Sequence, residues 1–215
     1  MNPKIAARRH VVVFDCNVYL DVAQLTGEPF TWAQASKIAA QHASSPIPFK
    51  AEPAVDSLRT IAVCTSGRLA GEELLEVWTS EHIRATVVYK AMQSAKPDPT
   101  TGYRGLGWSQ RNAESLADEL LAGIVNQSGG GDTGPQFPDG NPPLDHEDGL
   151  VFGTCSCLAR EDPLCSVYCV TRDRSFIEAH RQGRLPGHTR VLPPDVFLRL
   201  VRATRARYAM PRPRV

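Results

Sequence analysis

Residues 10–15 read HVVVFD, an apolar run rich in β-branched side chains, without polar alternation, closed abruptly by an acid. A strand that is apolar on every side chain has to be covered on both faces. That is the situation of a parallel sheet within an α/β fold. SVYCVT at 166–171 and TRVLP at 189–193 repeat the pattern, and RTIAVC at 59–64 is read as another short strand. Helical periodicity lies between them, in CNVYLDVAQL (16–25), FTWAQASKIAAQHA (30–43), WSQRNAESLADELLAGIV (108–125), EDGLVFGTCSCLAR (147–160), RSFIEAHRQG (174–183) and PDVFLRLVRATRA (194–206). In the stretch 65–92, Leu69, Leu74, Val77, Trp78 and Ile83 approximate a helical stripe. Short β-rich runs alternating with helices predict an α/β fold, a three-layer α/β/α sandwich around a central, mainly parallel sheet with helical and loop insertions.

The chain has 215 residues, 42% apolar and 22% charged, which suits a single domain over 1–215 with a sizeable core. Residues 127–143 are rich in Gly and Pro and predict a flexible insertion. No apolar run reaches the roughly 18 residues of a membrane span, and the N-terminus lacks the apolar core of a signal peptide. A cytoplasmic protein without membrane attachment is the expectation. The six cysteines, at 16, 64, 155, 157, 165 and 169, form no CxxC pair and read as small buried hydrophobes in a reducing compartment.

Lys and Arg number 24 against 23 Asp and Glu, a formal charge of +1 that excludes a globally basic nucleic-acid coat. The distribution is uneven: residues 172–215 hold 11 arginines against three acids. A basic tail over 203–215 suits contact with phosphate backbones, with a solvated helix end as the plainer reading.

Asp15 follows the first strand and Asp173 follows SVYCVTR, both at the carboxyl ends where open α/β sheets bind ligands. Asp145 and Asp148 stand three apart at a helix start. Each of these acids also suits a helix cap. Together they suggest carboxylates converging on one sheet edge, where mutual repulsion calls for a cation. Oxygen-only donors favour Mg²⁺ or Mn²⁺, and such a site suits phosphodiester hydrolysis.

VVVFDCNVYLD, CTSGRLAGEELLEVW, LDHEDGLVFGTC and YCVTRDRSF occur in this order. The ordered set resembles the four motifs of PIN-domain nucleases and covers most of the chain. The resemblance implies a metal-dependent endoribonuclease whose catalytic, metal-binding carboxylates are Asp15, Glu73, Asp148 and Asp173. Glu73 would sit on a helix, with Glu72 as the alternative. Asn17, Asp145 and Thr171 would support the acids, and Arg172, Arg174, Arg205 and Arg207 would contact RNA. It further implies the toxin of a toxin–antitoxin pair, with RNA, a cognate antitoxin protein and a second copy of the chain as candidate partners. The chain exceeds the family's small toxins in length, and Cys16 replaces their usual Thr or Ser.

Other readings make different demands. A haloacid-dehalogenase-type phosphotransferase needs an acid two residues after Asp15, where Asn17 stands, and a receiver domain needs a mid-chain acceptor Asp. A stand-alone RNA-processing or DNA nuclease shares the same acids. A PIN-like module that only binds RNA or protein would be expected to lack one of them.

Overall fold

The computed structural model describes residues 8–44, 52–100 and 104–209. β1 (Arg9–Phe14) is the middle strand of a five-stranded sheet ordered β2-β3-β1-β4-β5. Its partners are β3 (Glu73–Trp78) and β4 (Ser166–Val170), both parallel to it, and β5 (Thr189–Leu192) runs parallel to β4. Val11 to Phe14 are all buried, as a strand covered on both faces requires. The short β2 (Arg68–Ala70) pairs antiparallel with β3 through an irregular register and makes the sheet mixed. This α/β arrangement, mostly parallel with helices packed on the sheet, is compatible with three layers.

α1 (Cys16–Thr26) follows β1 directly, and α2 (Trp32–Ser44) and α3 (Pro53–Cys64) come next. The RTIAVC run is thus the last half of α3 and not a strand. Val55, Leu58 and Ile61 are buried at three-residue intervals and Pro53 occupies the first turn, so the helical period begins upstream of the run. The reverse correction applies to 65–78. Gly67 and Gly71 turn the chain at φ +62° and +54°, and ELLEVW becomes β3 instead of a helix. Only from Glu81 does the chain turn helical, as α4 (Glu81–Met92), with Ile83, Val87 and Ala91 facing the core.

The 108–125 helix is present as α5 (Gln110–Leu116), a π-helical turn (Ala117–Ala122) and α6 (Gly123–Ser128). Residues 127 and 128 therefore close α6. The rest of the Gly/Pro segment is anchored: Gly131 O accepts from Thr79 N–H beyond β3, and Asp139 N–H donates to Gly149 O. Gly149 belongs to α7 (His146–Glu161), which packs on β1 and β4. α8 (Arg174–Arg181) and α9 (Pro194–Ala209) complete the order. Residues 203–209 extend α9, while 210–215 lie outside the described residues. Among the described residues no helix is long and apolar enough to cross a membrane.

Candidate functional site

The parallel strands β1 and β4 end side by side, with Phe14 opposite Val170 and Asp15 N–H donating to Val170 O at 3.0 Å. That register places Asp15 and Thr171 at one edge. Asp15 is 3% exposed and caps α1, its Oδ1 accepting from Cys16 N–H at 2.6 Å. Its Oδ2 accepts from the Thr171 hydroxyl at 2.6 Å and from the Asn17 amide. The Asn17 amide also reaches Thr171 Oγ1 at 3.1 Å, and Asn17 Oδ1 accepts from Arg172 N–H at 3.0 Å. Asp173 N–H donates to Thr171 Oγ1 at 2.9 Å. One hydroxyl and one amide thus tie the turn after β1 to the turn after β4.

Asp173 caps α8 through Phe176 N–H at 3.0 Å, and Asp145 caps α7 through Asp148 N–H at 2.8 Å. The capping and site readings coincide: these acids cap helices that begin at the same rim. The electrostatics record their proximity. Burial, then the charges of Asp15, Asp145, Asp173 and Glu147, push Asp148 up to about 8. Burial pushes Asp15 up to about 6 against the hydrogen bonds from Thr171 and Cys16. Burial acts upward on Asp173 too, but hydrogen bonds from Ser175 and the Phe176 N–H outweigh it and leave Asp173 below the ordinary carboxylate value.

Glu73 does not join this cluster. It opens β3, level with the start of β1, so the strand length of β1 separates it from Asp15, on the order of 20 Å. There it accepts from the Tyr208 hydroxyl at 3.0 Å and stands 3.5 Å from His10 Nε2. Glu72 is exposed in the turn before β3, at the same far edge. The physical reason is the glycine turn: with 73–78 a strand and not a helix, both glutamates enter the sheet at its amino edge.

The arginines separate as well. Arg205 donates to the carbonyls of Val63 (2.8 Å), Arg68 (2.8 Å) and Leu69 (3.0 Å) and to Ser66 Oγ (3.1 Å). It joins α9 to the end of α3 and to β2, with Nε and Nη2 engaged by the protein. Arg207 is exposed on the same last turns of α9, near Tyr208 and therefore at the amino edge. Arg172 and Arg174 stay beside the acids, exposed, with Arg172 paired to Asp21.

Two residues that the sequence did not mark belong to the cluster. Lys90, on the last turn of α4, pairs with Glu147 in the first turn of α7. Its charge bears on both Asp15 and Asp173. No local spacing connects position 90 to 147, since only the packing of α4 on α7 does so.

Asp15 and Asp148, carboxylates whose proton affinity is raised first by burial, are oxygen donors that fit a hard divalent cation chemically. The spacing is more open than the chemistry: among the described residues no three His, Cys, Asp or Glu side chains are grouped to hold an ion. No protein-family model, curated protein or solved structure matches the chain.

Proposed function

We propose that the chain is a Mg²⁺- or Mn²⁺-dependent endoribonuclease with a three-layer, PIN-like α/β/α fold. The supporting observation is the Asp15–Thr171–Asn17 network, which fixes Asp15 at the carboxyl edge of the parallel strands next to the turn that carries Asp173, with the charges of both acids bearing on Asp148. Asp15, Asp148 and Asp173 would hold the cation. A divalent ion bound there would lower the pKa of its water and would offset charge on the phosphate. The chain's own part is orientation: Thr171 and Asn17 fix the Asp15 carboxylate, and Ser175 and the α8 N-terminus fix Asp173. Lys90 tempers the negative charge beside Glu147.

The toxin role, a cognate antitoxin, a second copy as partner and a cytoplasmic setting belong to this same reading. The test is cleavage of single-stranded RNA with Mg²⁺ or Mn²⁺, with single-stranded DNA in parallel. Chelator, Asp15→Asn and Asp173→Asn should each abolish it. Growth inhibition on expression, relieved by the same substitutions, would support the toxin role. Activity persisting in chelator would overturn the metal-dependent reading.

A second reading, a PIN-like module that binds RNA without cutting it, is favoured by one observation. Glu73 lies at the far edge, so at most three of the four expected acids can share one site. RNA binding by a protein that never cleaves under any divalent ion would decide for it.

A further inference from the structure

One face of α1 leads away from the acids. Asn17, Leu20, Asp21 and Gln24 recur at spacings of three and four, the period of a single helix face, and cover about 10 Å. Asn17 belongs to the acidic network, and all four line a cleft of about 460 Å³ whose far wall includes Leu106 and Trp108. That volume is in the range of sites for small ligands.

The far wall is strapped in place. Gly105 N–H donates to Ser94 O, Gly107 N–H to Gln93 O and Trp108 N–H to Ala91 O, all within 3.0 Å. Any side chain at position 105 would meet Gln93 O at 2.2 Å, so the strap lies flush on the end of α4. Glu28 holds the adjoining corner by accepting from Ser109 N–H and from the Asn112 amide. The cleft is therefore formed before any ligand arrives.

Its chemistry is mixed in an informative way. Leu20, Leu106 and Trp108 supply apolar surface, the exposed Gln24 an amide, and the exposed Arg104 a guanidinium. Asp21 adds little repulsion, because Arg172 and the Ser57 hydroxyl take its two oxygens. Apolar walls suit a base, an amide suits a base edge, and a guanidinium suits a phosphate.

We propose that this cleft binds one nucleotide of a single strand, next to the phosphodiester at the acids, with its phosphate toward Arg104. The inference rests on the nuclease reading for what occupies the acids, but binding in the cleft needs no catalysis.

The experiment titrates the full chain with the four ribonucleoside 5′-monophosphates and with ribose 5-phosphate, following tryptophan fluorescence. Nucleotides should bind tighter than ribose 5-phosphate, and Trp108→Phe should remove the signal. Arg104→Ala should weaken nucleotide binding about tenfold, as expected for one charged hydrogen-bonding contact. Arg104 is exposed, so the fold should tolerate the change. Leu20→Glu, read beside its circular dichroism, should lower affinity more. Equal affinity for ribose 5-phosphate, or affinity unchanged in both Arg104→Ala and Leu20→Glu, would overturn the proposal. Metal-dependent RNA cleavage without nucleotide binding in the cleft would remove the cleft alone. Cleft binding in a protein that cleaves nothing would remove the nuclease reading alone.

Discussion

The Thr171 hydroxyl donates a 2.6 Å hydrogen bond to Asp15 Oδ2 across 156 positions of sequence. Both residues are buried, and the bond joins the ends of two neighbouring parallel strands. Removing the hydroxyl leaves a buried carboxylate one partner short. Thr171→Val should reduce metal-dependent cleavage about 10- to 100-fold, the usual effect of losing a group that orients a ligand. Thr171→Ser should keep most of the activity. Rates for the three proteins at saturating metal and RNA check this.

Asp148 makes stability depend on pH. Its folded value, about 8, lies above the ordinary carboxylate value of 3.8, so the folded state holds the proton more tightly than the unfolded chain does. The resulting stability is complete at pH values below the ordinary one and is lost as pH rises through about 8. Asp15 acts in the same direction up to about 6. Asp173, lowered, acts oppositely, and its contribution is lost only in acid. In chelator, wild-type Tm should therefore fall between pH 5 and 8.5 more steeply than that of Asp148→Asn, and Mg²⁺ should recover part of the loss. Parallel slopes for the two proteins would contradict the assignment.

Arg205 serves the fold. Truncating it leaves three carbonyls with one donor fewer, and Arg205→Ala should cost roughly 1–3 kcal/mol in urea unfolding. The salt dependence of RNA binding should not change, whereas an arginine that neutralised one phosphate of a single strand would, on removal, shallow the slope by about 0.7.

Glu73 provides the matching control for the acids. Glu73→Gln keeps a partner for the Tyr208 hydroxyl and lies at the opposite edge from Asp15. Its cleavage rate and metal requirement should equal those of the unaltered protein, while Asp148→Asn should be inactive. Loss of activity in Glu73→Gln would return Glu73 to the site.

Gly153 lets the Gly/Pro segment lie on α7: a Cβ at this position would meet Phe137 O at 2.0 Å. Gly153→Ala should cost about 1–3 kcal/mol by overpacking and should speed proteolysis near Phe137. Thermal melts and limited digestion measure the two effects.

Asp15, Thr171 and Asp173 were legible because their strands are short, end in apolar runs (VVVF and VYCV) and are closed by polar residues, which fixes both the sheet and its carboxyl end. Glu73 was not, because Leu74, Val77 and Trp78 fit a helical stripe as readily as an apolar strand. Gly67 and Gly71 are the residues that break the helix and distinguish the two. RTIAVC is the mirror image, since a β-branched end of a helix resembles a strand when read in isolation. Lys90 was invisible for another reason: its partner Glu147 is 57 positions away, and only packing brings them together. The arginine-rich end showed its charge but not its targets, because composition does not tell a carbonyl of the same chain from a phosphate.

Asp15, Asp145 and Asp173 each sit at the first turn of a helix, so α1, α7 and α8 all present their amino ends to one rim. Each such end carries a fixed positive fraction of roughly half a charge, built from backbone N–H groups. These fractions travel with the polypeptide and do not depend on loading. The gathered acids are thus partly compensated from the moment the helices form. The empty protein should fold on its own, and reagents that strip divalent ions should silence it without unfolding it.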